Sequence, residues 1–66
     1  VKNSLKIERA IKNLTQEDLA KQIGVSRQTI NSIETGRYVP STVLALKISG
    51  IFEKPVNAIF KLEDSD

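Results

Sequence analysis

The sequence predicts an all-α fold, a bundle of five short helices, and three observations carry that expectation. Gly24, Gly36, Pro40 and Pro55 punctuate the chain. Each interval between them spaces its apolar residues by three and four, the period of a helix with one buried face. Strand signals are faint, and only Val1–Asn3 and Lys61–Glu63 offer room for a strand pair.

The first helix is expected from about Asn3 to Asn13, with Leu5, Ile7, Ala10, Ile11 and Leu14 as its apolar set. Thr15 opens the second. Its hydroxyl can accept from the Asp18 amide while the Asp18 carboxylate answers the Thr15 amide, a capping box with Asp in place of Glu or Gln. Glu17 and Asp18 also suit the positive end of the helix dipole. Leu19, Ala20 and Ile23 supply the buried side, and Gly24 can end the helix in a left-handed conformation. Ser26, a favoured N-cap, starts the third helix, which runs to about Glu34 and stops before Gly36. Pro40-Ser41 precedes a fourth, where Leu44, Ile48 and Phe52 recur every fourth residue; Gly50 sits inside this periodic run. Pro55 suits the first position of a short fifth helix carrying Val56, Ile59 and Phe60.

Composition removes many functions. The 66 residues suffice for one small domain, read as a single unit over 1–66, and they include no Cys and no His. Disulfides, zinc-thiolate sites, thiol nucleophiles and histidine bases are therefore excluded, no metal ligand set or cofactor site is expected, and no catalytic constellation can be assembled. The adjacent Glu17 and Asp18 diverge by about 100° on a helix and do not converge on one substrate as acid and base. No apolar run approaches the ~20 residues of a membrane span, and no signal peptide is visible, so a cytoplasmic protein without membrane contact is expected. Charge is divided unevenly: residues 1–47 carry eight basic groups against four acidic ones, while residues 48–66 carry two against four. A basic body with an acidic tail permits a polyanionic partner on one side, although a solvated surface would look the same.

The informative segment is Gln16 to Thr35. Two helices of about eight residues meet at a Gly24-centred turn, the length and turn chemistry of a DNA-binding helix-turn-helix. Leu19 and Ile23 must face Ile30 and Ile33 across the elbow, Val25 must fill its corner, and Ala20 is small where the helices approach. Turning the third helix by about 100° per residue puts Gln28, Asn31, Ser32 and Thr35 opposite the isoleucines, with Arg27 and Thr29 flanking. Short polar and amide groups there can enter a major groove. Gln28 could pair with adenine, and Arg27 could reach guanine O6 and N7 or a phosphate. The simpler reading of all these groups is solvation.

The run Leu14-Thr-Gln-Glu-Asp-Leu-Ala-Lys-Gln-Ile-Gly-Val-Ser-Arg-Gln-Thr-Ile-Asn-Ser-Ile-Glu34, followed by Gly36-Arg37-Tyr38-x-Pro40-Ser41, resembles the lambda-repressor-like, xenobiotic-response-element type helix-turn-helix regulators. The likeness spans residues 4–60 and is greatest to the short stand-alone cytolysin-type repressors. It implies a five-helix DNA-binding bundle acting as a homodimer on double-stranded operator DNA, with no small-molecule ligand evident. It also implies base-edge contacts from Arg27, Gln28, Thr29 and Ser32, with Asn31 as a further candidate. Phosphate contacts are expected from Gln16, Ser26, Arg37 and Tyr38; Arg37 could equally be a loose surface charge, and Tyr38 could instead pack over the fourth helix. Arg9 and Glu34 match a structural salt bridge of the family.

A core this small argues for association, and one recognition helix contacts few base pairs. Val43, Leu46, Ile51, Val56 and Ile59 exceed what two short helices need to bury, and part of this surplus is expected at a dimer interface. The cytolysin-type repressors pair their terminal segments as a β-ribbon, which Val1–Asn3 and Phe60–Glu63 could reproduce. The tail Glu63–Asp66 is expected away from DNA. The resemblance and the chain's brevity favour repression over activation. The alternative is an antitoxin-like interaction module that clamps a partner protein; exposed apolar groups on the third helix would favour it.

Overall fold

A computed structural model describes all 66 residues, in the order β1 (Lys2–Asn3), α1 (Leu5–Ile11), α2 (Gln16–Ile23), α3 (Arg27–Glu34), α4 (Thr42–Phe52), α5 (Val56–Ile59) and β2 (Phe60–Lys61). Every helix contributes to one buried cluster: Leu5 from α1, Leu19, Ala20 and Ile23 from α2, Ile30 and Ile33 from α3, Ile48 and Phe52 from α4, and Ile59 from α5. Each large aliphatic side chain so buried stabilises the fold by about 1.5–3 kcal/mol before entropy is charged against it. Leu14, Val25, Leu44, Ile51 and Phe60 pack on the rim of this cluster.

Helix α1 departs from expectation in length and in facing. It begins at Leu5 because Asn3 and Ser4 belong to the strand and its exit. Asn3 Oδ1 accepts from the Leu5 amide at 3.1 Å, and Asn3 Nδ2 donates to the Ile33 carbonyl at 2.9 Å, which ties the strand to α3. The helix ends in a Schellman closure: the Asn13 amide bonds Ala10 O and the Leu14 amide bonds Arg9 O, with Asn13 left-handed at φ 55°. Of the expected apolar set only Leu5 is fully buried; Ile7 and Ile11 are 62% and 67% exposed. The inward positions go instead to Glu8, bonded by Lys54 Nζ at 3.0 Å, and to Arg9. Paired charges fill the place that apolar periodicity assigned to isoleucine.

The fourth helix follows the expected spacing. Ser41 caps it by accepting from the Leu44 amide at 3.2 Å, and Ile48 and Phe52 point into the core. Pro55 is the N-cap of α5 rather than its first helical residue, because its ψ of 150° is extended. Phe60 likewise leaves the helix, at φ −112° and ψ 135°, and enters β2. The two strands pair antiparallel within one chain, Lys2 opposite Lys61 and Asn3 opposite Phe60, so the ribbon falls one residue earlier than Lys61–Glu63. The Ser4 amide extends the pairing to Ile59 O at 3.0 Å. Ile59, counted above among surplus apolar groups, is 1% exposed and belongs to the core.

Candidate nucleic-acid interface

The α2–α3 elbow is assembled from local signals. Thr15 Oγ1 accepts from the Asp18 amide and Asp18 Oδ2 accepts from the Thr15 amide, both at 3.0 Å, so the capping box is complete. The backbone bond from Thr15, followed by its hydroxyl, holds the Asp18 carboxyl below the usual carboxylate range, which makes it a cap and not a proton donor. Gly24 takes φ 75°, where a side chain would be strained, and the Val25 amide closes the helix on Ala20 O at 3.0 Å. Lys47 Nζ approaches the Ile23 carbonyl at 3.4 Å, placing a positive charge at the negative end of α2. Ser26 then accepts from the Thr29 amide at 3.2 Å, and α3 begins.

With Ile30 and Ile33 at 0% and 1% exposure, α3 has one orientation only. Arg27, Gln28, Asn31 and Thr35 are exposed on the opposite side, while Thr29 and, contrary to its expected outward place, Ser32 are half-buried. Two hollows flank this face. One is lined by Gln16, Arg27, Gln28 and Asn31 with no apolar group; the other by Val25, Ser26, Gln28, Thr29, Ser32, Tyr38 and Leu44. Gln28 borders both, so it stands on the ridge between them. The Thr29 hydroxyl is bonded to Ser26 Oγ at 3.0 Å and is held close to the cap. Beyond the helix, Gly36 at φ 78° turns the chain so that the Arg37 and Tyr38 amides both reach Ser32 O, at 2.9 and 3.2 Å. Arg37 is exposed, and Tyr38 stays 43% exposed while sharing its hollow with Leu44.

Behind the face lies a partly buried polar chain that reaches the surface at Asn31. Arg9 donates from Nε to Glu34 Oε2 at 2.6 Å and from Nη2 to Oε1 at 3.0 Å, while Nη1 bonds Leu14 O at 2.9 Å. The two side chains are 14% and 5% exposed. Burial pushes the Glu34 carboxyl up, but the hydrogen bonds from Arg9 and then Gln16 outweigh it and hold it below the ordinary value. The same bond to Glu34 raises Arg9 further into its charged form. The expected salt bridge is present, with an addition the sequence did not disclose. Gln16 Nε2 donates to Glu34 Oε1 at 3.1 Å and to Asn31 Oδ1 at 3.3 Å. Both hydrogens of that nitrogen are directed at acceptors within the chain, the one to Glu34 partly buried and the one to Asn31 exposed. No signal in the sequence links Gln16 to Glu34, because they lie on different helices and meet only when the elbow closes.

The nine residues expected to touch DNA thus lie on one continuous region: the α2 start, the exposed side of α3 and the turn that follows. Arg27 and Arg37 form no ion pair within the chain, and the Glu34 carboxylate at the end of α3 is neutralised by Arg9. The surface offers free positive charge and amide groups to a polyanion.

Comparison with known proteins agrees with this geometry. The helix-turn-helix family profile matches residues 5–59. A protein of Methanocaldococcus jannaschii named as an HTH-type transcriptional regulator is 56% identical over 66 residues, the whole of both chains. One of Bacillus subtilis with the same description is 44% identical over 66 residues, again the whole of both. The ImmF control region 10 kDa protein of Bacillus phage phi105 is 36% identical over 55 residues, 83% of this chain and 61% of that one. With its five helices and capped elbow, the chain belongs to the helix-turn-helix family of the xenobiotic-response-element type and is a transcriptional regulator with a DNA-binding domain.

Proposed function

We propose that this regulator is a repressor that occupies a palindromic operator as a homodimer, each protomer laying α3 in the major groove. One observation carries the reading: the outward side of α3 is polar and open to solvent, with Gln28 standing between two hollows. A groove-reading helix needs side chains that reach base edges without a bulky apolar obstacle. In this reading Arg27, Gln28, Thr29, Asn31 and Ser32 meet bases. Ser26, Arg37 and Tyr38 meet phosphates on either flank, and Gln16 does so through the amides at the start of α2. The polar character of this side argues against a protein clamp there.

Association is supported elsewhere on the surface. Val39, Val43, Leu46 and Leu62 are 60%, 62%, 60% and 82% exposed. Val39 and Leu62 rim an apolar hollow with Pro40, Ala45, Val56 and Phe60. A second copy covering this region would remove the cost of exposing it and would present two α3 helices related by two-fold symmetry. Action on DNA implies the cytoplasm; no helix is long and apolar enough to cross a membrane.

Selection of duplexes from a random pool tests the proposal. Inverted half-sites with centres about 34 Å apart are expected, with affinity falling steeply as salt rises. Gln28→Ala should lower discrimination between operator and random duplex by about tenfold, the worth of one good base contact, while the melting temperature stays put. Binding that ignores both salt and Gln28 would sink the assignment.

A further inference from the structure

The polar chain behind α3 has a direction. Arg9 can only donate, so both Glu34 oxygens face it as acceptors. Glu34 Oε1 in turn admits only a donor, so Gln16 must turn its nitrogen toward it. The second hydrogen of that nitrogen meets Asn31, which must answer with its oxygen. Reversing the Gln16 amide would set two acceptors together beside the part-buried Glu34 carboxylate, at a cost of about 1–3 kcal/mol. Reversing Asn31 would set two donors together and forfeit an exposed bond worth about 0.5–1.5 kcal/mol. Asn31 Oδ1 is therefore turned back toward α2, its Nδ2 makes no bond within the chain, and the residue lines the hollow shared with Gln16, Arg27 and Gln28.

We propose that Asn31 reads its base as a donor alone, selecting a G·C pair through guanine O6 and N7, and that Gln16, Glu34 and Arg9 are the positioning residues that impose this choice. The inference rests on α3 entering the major groove, as proposed above. An asparagine free to rotate favours adenine, offering its oxygen to N6 and its nitrogen to N7. That pairing needs both ends of the amide along the base edge, and here one end is held at 3.3 Å by Gln16. The remaining NH2 carries two hydrogens. Guanine presents two adjacent acceptors to it, whereas adenine presents one acceptor beside a donor that would face the NH2 directly. A helix residue that reads adenine in isolation is thus committed to guanine by an ion pair on its far side.

The test is duplex selection with the wild-type chain, Asn31→Ala and Gln16→Met, followed by titration of operators carrying each base pair at the position that responds to Asn31→Ala. In the wild type, G·C should be preferred over A·T there by about tenfold, the scale of one good contact. Asn31→Ala should remove preference at that pair only. Gln16→Met keeps the length of the side chain but frees the Asn31 amide, and the G·C preference should shrink toward parity or turn to A·T at that one pair, with any loss of overall affinity shared by all sequences. Circular dichroism confirms that each variant is folded; should Gln16→Met not fold, Gln16→Leu serves in its place. A wild-type preference for A·T at the Asn31-dependent pair, no Asn31-dependent pair, or a G·C preference untouched by loss of Gln16 would each overturn the inference while leaving groove binding intact. A wild-type chain that retains no duplex at low salt would instead overturn the DNA-reading role of α3 and the inference with it.

Discussion

In the α2–α3 elbow the isoleucines are hidden, Ile23 at 2%, Ile30 at 0% and Ile33 at 1% exposure, whereas in α1 Ile7 and Ile11 stand 62% and 67% exposed and Glu8 is buried at 7%. The helices are similar in length and amphipathic by sequence. They differ in where their inward neighbours come from. The elbow joins its two apolar faces across a turn of a few residues, and the rest of their burial comes from other apolar groups of the same cluster. Glu8 meets Lys54 from 46 positions away, and Arg9 meets Glu34 from 25 positions away. Apolar periodicity identifies the buried face where the partner is another apolar face. It misleads where a paired charge occupies the inward position, since hydrophobicity carries no record of the pairing.

The largest effect should come from breaking that pairing. Arg9→Met leaves Glu34, 5% exposed, without its cation, and urea unfolding at neutral pH should show a loss of about 3–5 kcal/mol. The wild type has a matching acid response. Glu34 and Asp18 have folded values below their usual ones, so their contributions are complete above the ordinary carboxylate range and disappear as pH falls through the depressed values. Thermal melts across the acid range should therefore show stability rising with pH. In Arg9→Met the Glu34 part of that slope should vanish or reverse, because a buried carboxylate without a cation favours its proton.

Truncating the seam of the elbow comes next. Ile30→Ala should cost about 2–5 kcal/mol, measured by the same unfolding curves. The capping box is smaller: Thr15→Ala should lower stability by about 1 kcal/mol, since one amide of α2 loses its acceptor. The smallest effect is expected from Ile11→Ser on the exposed side of α1, within about 0.5 kcal/mol of zero. Should Ile11→Ser rival Ile30→Ala, the contrast between the two regions would be false and α1 would bury more than its exposure indicates.

The starts of α2, α3 and α4 and the end of α2 were legible in the residues because each depends on partners a few positions away: Thr15 with Asp18, Ser26 with Thr29, Ser41 with Leu44, and Gly24 with a left-handed turn. The exposed side of α3 was legible for the same reason, since Ile30 and Ile33 fix its rotation and leave Arg27, Gln28 and Asn31 outside. The inward side of α1, the place of Ile59 in the core and the register of Lys2 with Lys61 were decided only by the folded chain. So was the bond from Gln16 to both Glu34 and Asn31. Local hydrogen bonds and a helical period travel with the sequence. Ion pairs and amide orientations depend on which distant groups arrive within 3 to 4 Å, and that distance exists only after the helices have packed.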